Sequence, residues 1–150
     1  MRIALVVSQY HAFITDRLEA GARAALAEAG VPPSRLETFA VPGAFELPQA
    51  ASRVAASGDW DAVVCLGCLI RGETPHFDYI AAAAAQGLTS AAQATGVPVA
   101  FGVLTTNSVD EALARAGEGA QNKGREAALA ALDMARLYTR LGPPAGRGHR

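Results

Sequence analysis

Strong charge of either sign is missing from this chain. Thirteen basic and fourteen acidic residues leave a formal net charge of -1 over 150 residues. The basic side chains are also dispersed, so nothing marks nucleic acid or an anionic membrane as a partner. No apolar run approaches the length of a bilayer span, and no charged-then-apolar leader with a cleavage site stands at the start; the expected location is the cytoplasm. Cysteine is scarce too. Cys65 and Cys68 have CxxC spacing, but a second pair and a histidine at zinc-finger distance are both missing, which argues against a structural zinc site. Dithiol redox motifs open a helix, whereas Cys65 lies within an apolar run and Cys68 just after it. Two small buried thiols are the expectation.

Several familiar motifs are absent as well. There is no GxxxxGK[ST] loop, no GxGxxG after a strand, no acidic pair after the first strand to hold magnesium, and no GxSxG elbow. SQYHAFIT, from Ser8 to Thr15, is not the Ser/Thr- and Gly-rich loop with which a flavodoxin-type carrier wraps a phosphate.

The hydrophobic share is 51%, enough for one domain with a real core and too little chain for two. Short β-rich runs alternate with longer helical runs, the pattern of βαβ units and a parallel sheet. Strands are expected at Ile3 to Val7, Leu36 to Val41, Ala62 to Leu66 and Val97 to Leu104. Helices are expected from about Phe13 to Ala29, Ala44 to Ala56, Pro75 to Ala94, Ser108 to Ala116 and Gln121 to Leu141. The fold class is α/β, a three-layer α/β/α flavodoxin-like sandwich on a four-stranded parallel sheet. A single domain over 1–141 is expected to be followed by a disordered tail, 142–150, with no apolar periodicity. The third helix is dominated by alanine, including Ala81 to Ala85, and should lie close to a neighbour.

Open parallel sheets bind ligands beyond the carboxyl ends of their strands. Those ends carry Ser8, Gln9, Tyr10 and His11; Pro42 to Glu46; Arg71 to His76; and Thr105, Thr106 and Asn107. The opposite ends hold ordinary connectors such as Gly30 to Pro33 and Ser57 to Asp59. Among these segments RGETPHFDY, Arg71 to Tyr79, is the most informative. Thr74 and Pro75 read as a cap followed by the residue favoured at the first helical position, so free amides and the positive end of the helix dipole would attract an anion there. His76 would stand beside that anion with an imidazole able to move protons near neutral pH. A polar loop capping an ordinary helix is the plainer alternative.

VPGAFELP at Val41 to Pro48, LGCLIRGETPHFDY at Leu66 to Tyr79, FGVLTT at Phe101 to Thr106 and NKG at Asn122 to Gly124 closely resemble the lumazine synthase family in order and spacing, over nearly the whole chain. The resemblance implies the penultimate step of riboflavin synthesis. There 5-amino-6-(D-ribitylamino)uracil and 3,4-dihydroxy-2-butanone 4-phosphate condense to 6,7-dimethyl-8-ribityllumazine, phosphate and water, without a metal or redox cofactor. It further implies that Glu73 (through its backbone), Thr74 and Arg115 hold the phosphate, that Gly43, Ala44, Phe45 and Glu46 run beside the ribityl chain, and that Tyr10 stacks on the pyrimidine over Leu69 and Ile70. Phe101, Lys123 and Arg115 would come from an adjacent subunit, and His76 would shuttle protons.

Outside that resemblance the plainer reading is preferred for Phe45 as a core residue, Glu46 as a first-turn acid and Lys123 as a solvated charge, while Arg115 passes as a surface residue and Arg71 as a structural ion-pair partner. Tyr10 stands where the family more often has Phe or Trp, and His11 where it often has Asn. The chain starts almost at its first strand, whereas shell-forming members carry a leading segment that pairs with a neighbour's sheet; the compact AGEGAQNKG connection points the other way. Pentamer, decamer and capsid stay open, with a pentamer as the basic unit, and the resemblance admits riboflavin synthase as a protein partner. A lumazine- or flavin-binding module or shell scaffold without turnover is the alternative function.

Overall fold

The computed structural model describes residues 1–143. The tail expected from Gly142 onward therefore lies, after Pro143, outside the described residues. Four strands, Ile3–Ser8 (β1), Leu36–Val41 (β2), Ala62–Ile70 (β3) and Val99–Thr106 (β4), pair in parallel in the order β2-β1-β3-β4. Helices Ala12–Glu28 (α1), Leu47–Ala56 (α2), His76–Thr95 (α3), Val109–Arg115 (α4) and Lys123–Leu141 (α5) connect and follow them.

The strand period of two sorts the apolar side chains into two cores. Ile3, Leu5, Val7, Val64 and Leu66 pack with Leu18 and Leu26 of α1 and Leu132 of α5. Ala4, Val6, Val63 and Cys65 pack on the other face with Leu47 and Ala51 of α2 and Leu88 of α3. β1 is apolar and buried from Ile3 to Val7 because both its faces are covered. This is the expected three-layer α/β/α sandwich. The alanine-rich α3 also sits close to its neighbour, since a Cβ added at Gly87 would come within 2.6 Å of Pro48 Cβ on α2. No described helix is long and apolar enough to cross a membrane.

Four local expectations need correction. β3 does not stop at Leu66 but runs to Ile70, because β4 continues beside it through the pairs Gly67↔Val103 to Ile70↔Thr106. β1 pairs with β3 only as far as Leu66, so the β3 and β4 ends project past the rest of the sheet. β4 begins at Val99 and not Val97, since Pro98 has no amide to give a ladder; its carbonyl accepts the Val63 N–H at 2.8 Å. Helix α3 begins one residue late: Pro75 is its N-cap, and the Thr74 hydroxyl accepts the His76 amide at a long 3.4 Å. A 3-10 turn, Ala44–Glu46, precedes α2 where continuous helix was expected.

The two cysteines are buried and free. Cys68 lies inside β3, not after it, and three residues along a strand places the two thiols on opposite faces, Cys65 in the α2/α3 core and Cys68 in the α1/α5 core. They cannot bridge without breaking the strand. Burial pushes the Cys68 thiol up to about 11 and the Cys65 thiol higher still, so neither is a nucleophile at neutral pH.

Candidate active site

On the α2/α3 side of the sheet, a groove of about 870 Å³ opens beyond the carboxyl ends of β1, β2 and β3. Tyr10 and His11 enter it after β1, Gly43 to Glu46 after β2, Leu69 and Ile70 from the projecting end of β3, and Thr74 and His76 from the turn into α3. Nine of the thirteen expected site residues therefore share one concave surface. Its walls are apolar with a few polar groups, the usual make-up of a small-molecule site. Tyr10 is 65% exposed and Phe45 54% exposed. This settles Phe45 as a groove wall and not a core side chain.

Local geometry explains the placement. The Gln9 and Tyr10 amides donate to the carbonyls of Val41 and Pro42 at 2.8 and 3.1 Å, strapping the β1 loop to the β2 loop. Tyr10 is thereby held on the same rim as Gly43 and Ala44. His11 has φ 60° and ψ 47° at the N-cap of α1, and its ring meets the Tyr10 ring edge-on at 4.6 Å. A left-handed conformation costs an ordinary side chain about 1–2 kcal/mol and costs Asn less. Burial also holds the imidazole below its usual pKa. Since the unfolded chain then binds the proton more readily, stability is full above about pH 6.5 and declines as pH falls from there through the lower folded-state pKa. We expect His11→Asn to raise stability by about 0.5 kcal/mol at pH 7. It should also flatten the acid side of the stability profile. Urea melts from pH 5 to 8 check both, and a destabilised variant with an unchanged profile would remove this account.

The remaining expected residues lie elsewhere. Phe101, Arg115 and Lys123 line a separate hollow of about 320 Å³ on β4, shared with Thr105 and Glu126. Glu73 is exposed and lines neither hollow, although its neighbours Gly72 and Thr74 line the groove. α4 is capped as expected, with the Ser108 hydroxyl accepting the Glu111 amide at 3.1 Å; the Glu111 carboxylate accepts from the Asn107 amide at 2.8 Å. Arg115 ends this helix, one Nη1 contact at 3.1 Å to the Glu111 carbonyl setting its direction. Lys123 opens α5 and pairs with Glu126 at 3.0 Å. A third hollow, lined by Arg17, Gly21, Asn122 and Arg125, gathers none of the expected residues.

Sequence reasoning missed Phe77, Tyr79, Ile80 and Val109, which also line the groove. Tyr79 and Ile80 follow His76 at i+3 and i+4, a helical spacing that was available as a signal. Val109 reaches the groove from the start of α4, which nothing local announces.

A sequence model of the family described as 6,7-dimethyl-8-ribityllumazine synthase matches residues 1–139. The chain is 51% identical over 137 residues to the 6,7-dimethyl-8-ribityllumazine synthase of Chlorobium phaeovibrioides (strain DSM 265 / 1930), an alignment covering 91% of this chain and 88% of that one. With its parallel α/β sheet, its groove and the matched motifs at that groove, the chain belongs to the 6,7-dimethyl-8-ribityllumazine synthase family.

Proposed function

We propose that the groove and the β4 hollow are two halves of one active site, each groove being completed by the hollow of a neighbouring copy. The reaction carried out there is the condensation of 5-amino-6-(D-ribitylamino)uracil with 3,4-dihydroxy-2-butanone 4-phosphate to 6,7-dimethyl-8-ribityllumazine, phosphate and water. The observation that carries the shared-site reading is the separation of Phe101, Arg115 and Lys123 from the groove within one chain. A groove-to-hollow contact is heterologous, and such contacts generate rings when the rotation closes. The basic unit is a pentamer. The face of α3 supports an assembly too: Ala82, Ala85, Gln86, Thr89, Ser90 and Gln93 are exposed, and the helix carries no Asp, Glu, Lys or Arg after Asp78. Depletion of charge marks the centre of interfaces.

In this site Tyr10 stacks on the pyrimidine over Leu69 and Ile70. Gly43 to Glu46 run beside the ribityl chain, with the Glu46 carboxylate accepting from its hydroxyls. Thr74, the backbone at Glu73 and the neighbour's Arg115 hold the phosphate at the start of α3, where amides and helix dipole favour an anion. Phe101 and Lys123 close the site from the neighbour's side. The uracil amine attacks the butanone carbonyl and expels its oxygen as water to give an imine, phosphate is eliminated, and the ribitylamino nitrogen closes the second ring with loss of a second water. His76 moves the protons.

Amine and ketone react with one another unaided, so holding them together accounts for much of the rate. His76→Ala is accordingly expected to lower kcat by about ten- to a hundredfold without abolishing turnover. Steady-state kinetics following lumazine fluorescence and phosphate release above the uncatalysed background read the effect; an unchanged kcat removes His76 from the mechanism. The shared site is tested by refolding His76→Ala together with Arg115→Ala. At phosphate-substrate concentrations well below the KM of Arg115→Ala, random assembly leaves about one site in four with both groups intact, so the mixture should exceed the summed activity of the two variants. Activity no greater than the sum of the two variants, or a monomer by native mass spectrometry at working concentration, would count against a site shared between copies. Free thiols suit the reducing cytoplasm, the proposed location. An association with riboflavin synthase belongs to the same reading, and co-elution of the two proteins is its test.

A further inference from the structure

We infer that Arg71 is a positioning residue for this reaction, its guanidinium stapling the first turn of α3, which carries His76, to the corner between β4 and α4. The inference rests on the proton-carrying role proposed for His76. Arg71 itself begins where the sheet ends, its amide donating to the Thr106 carbonyl at 2.8 Å. From that fixed point its side chain reaches three residues. Nε donates to Asn107 Oδ1 at 3.1 Å, Nη2 lies 3.3 Å from Asp78 Oδ1, and the guanidinium carbon stands 4.5 Å from the centre of the Phe77 ring. Phe77 and Asp78 are the two residues after His76. Asn107 is in turn held through its amide by Glu111, whose own amide is capped by Ser108.

That first turn needs an outside anchor. Its N-cap is Pro75, which makes no side-chain cap hydrogen bond, and the Thr74 contact to the His76 amide is long at 3.4 Å. Every residue from Arg71 to His76 is exposed. The planar fork of an arginine can meet Asn107 and Asp78 while stacking on Phe77, which an ammonium cannot do. The contacts are too wet to hold the fold together: the Arg71 and Asp78 side chains are 48% and 60% exposed, and ion pairs of that kind add little to stability. Placement of a reacting group is more sensitive, since a misplacement of about 1 Å can cost on the order of a hundredfold in rate.

The test compares Arg71→Ala and Arg71→Lys, each in the natural background and beside His76→Ala, by steady-state kinetics and thermal melting of the assembled protein. Arg71→Ala should lower kcat by about tenfold, with each KM within about twofold and the melting temperature within about 2 °C of the parent. Arg71→Lys should recover only part of the loss. In the His76→Ala background, removing the guanidinium should cost nothing further, because the group it positions is gone. An unchanged kcat, an equal loss in both backgrounds, full recovery by lysine, or a fall in melting temperature that accounts for the lost rate would each overturn the inference. The His76 reading fails separately, on the single variant His76→Ala keeping its full kcat.

Discussion

Gly124→Ala should destabilise the fold severely. Gly124 is the second residue of α5 and is buried against α1, where a Cβ would land on the Leu18 backbone carbonyl. A side chain in that position could rotate away, but a carbonyl inside a helix cannot. The two helices would have to separate, and with them the packing of Leu18, Ala22, Ala128 and Leu132. Beside Gly124, the buried Asn122 side chain fills the space over Gly21. Its Oδ1 accepts the Arg125 amide at 3.0 Å, while Nδ2 donates to the carbonyls of Arg17, Ala116 and Gly117 at 3.1, 3.2 and 3.0 Å. Moving α5 outward strands these groups.

Overpacking costs about 1–3 kcal/mol, and each buried polar group left unpaired about 1–3 kcal/mol more. Together they amount to about 4 kcal/mol or more, a large part of the roughly 5–15 kcal/mol that holds a domain folded. Gly72→Ala is the control: nothing lies within 4 Å of its added Cβ, so its effect should stay within about 0.5 kcal/mol. Denaturant melts of the two variants decide the matter. A Gly124→Ala protein that melts like its parent would mean that α1 and α5 do not approach so closely. The same contact fixes where α5 begins and therefore where Lys123 stands in the β4 hollow.

Arg115→Ala should raise the KM for 3,4-dihydroxy-2-butanone 4-phosphate by about a hundredfold while leaving kcat within about tenfold. The side chain ends a capped helix, is exposed, and uses one Nη1 contact on its own helix. Its fork remains available for a phosphate, the ligand that its planar geometry fits in bidentate fashion. A hydrogen bond to a charged group contributes about 1.5–3 kcal/mol, and 1.4 kcal/mol is tenfold in affinity, so losing the fork costs about ten- to over a hundredfold. Arg115→Lys should retain the charge and recover part of the affinity. Being exposed, the residue should affect melting very little. A raised KM for the uracil substrate with that for the phosphate unchanged would move Arg115 to the other end of the site.

The sequence by itself determined whatever depends on local period and local chemistry. β2 runs from Leu36 to Val41 as its pattern dictates, Ser108 caps α4, and four motif blocks carry the family. Seven of the nine expected residues that line the groove stand in strand-end segments that a parallel sheet brings together whatever the loops contain, while Leu69 and Ile70 were implied by the family resemblance alone. Only the tertiary structure decided the rest. β3 reaches Ile70 because β4, about thirty residues further on, offers partners that no local window contains. Arg71 meets Asn107 across a separation of 36 residues. His11 takes a left-handed conformation, uncommon for any residue other than glycine, at the turn into α1. Phe101, Arg115 and Lys123 fall outside the groove because β4 and α5 carry them to another surface. Period and capping act over a few residues, whereas the sides of a hollow are set by chain segments that meet only when the whole sheet is packed.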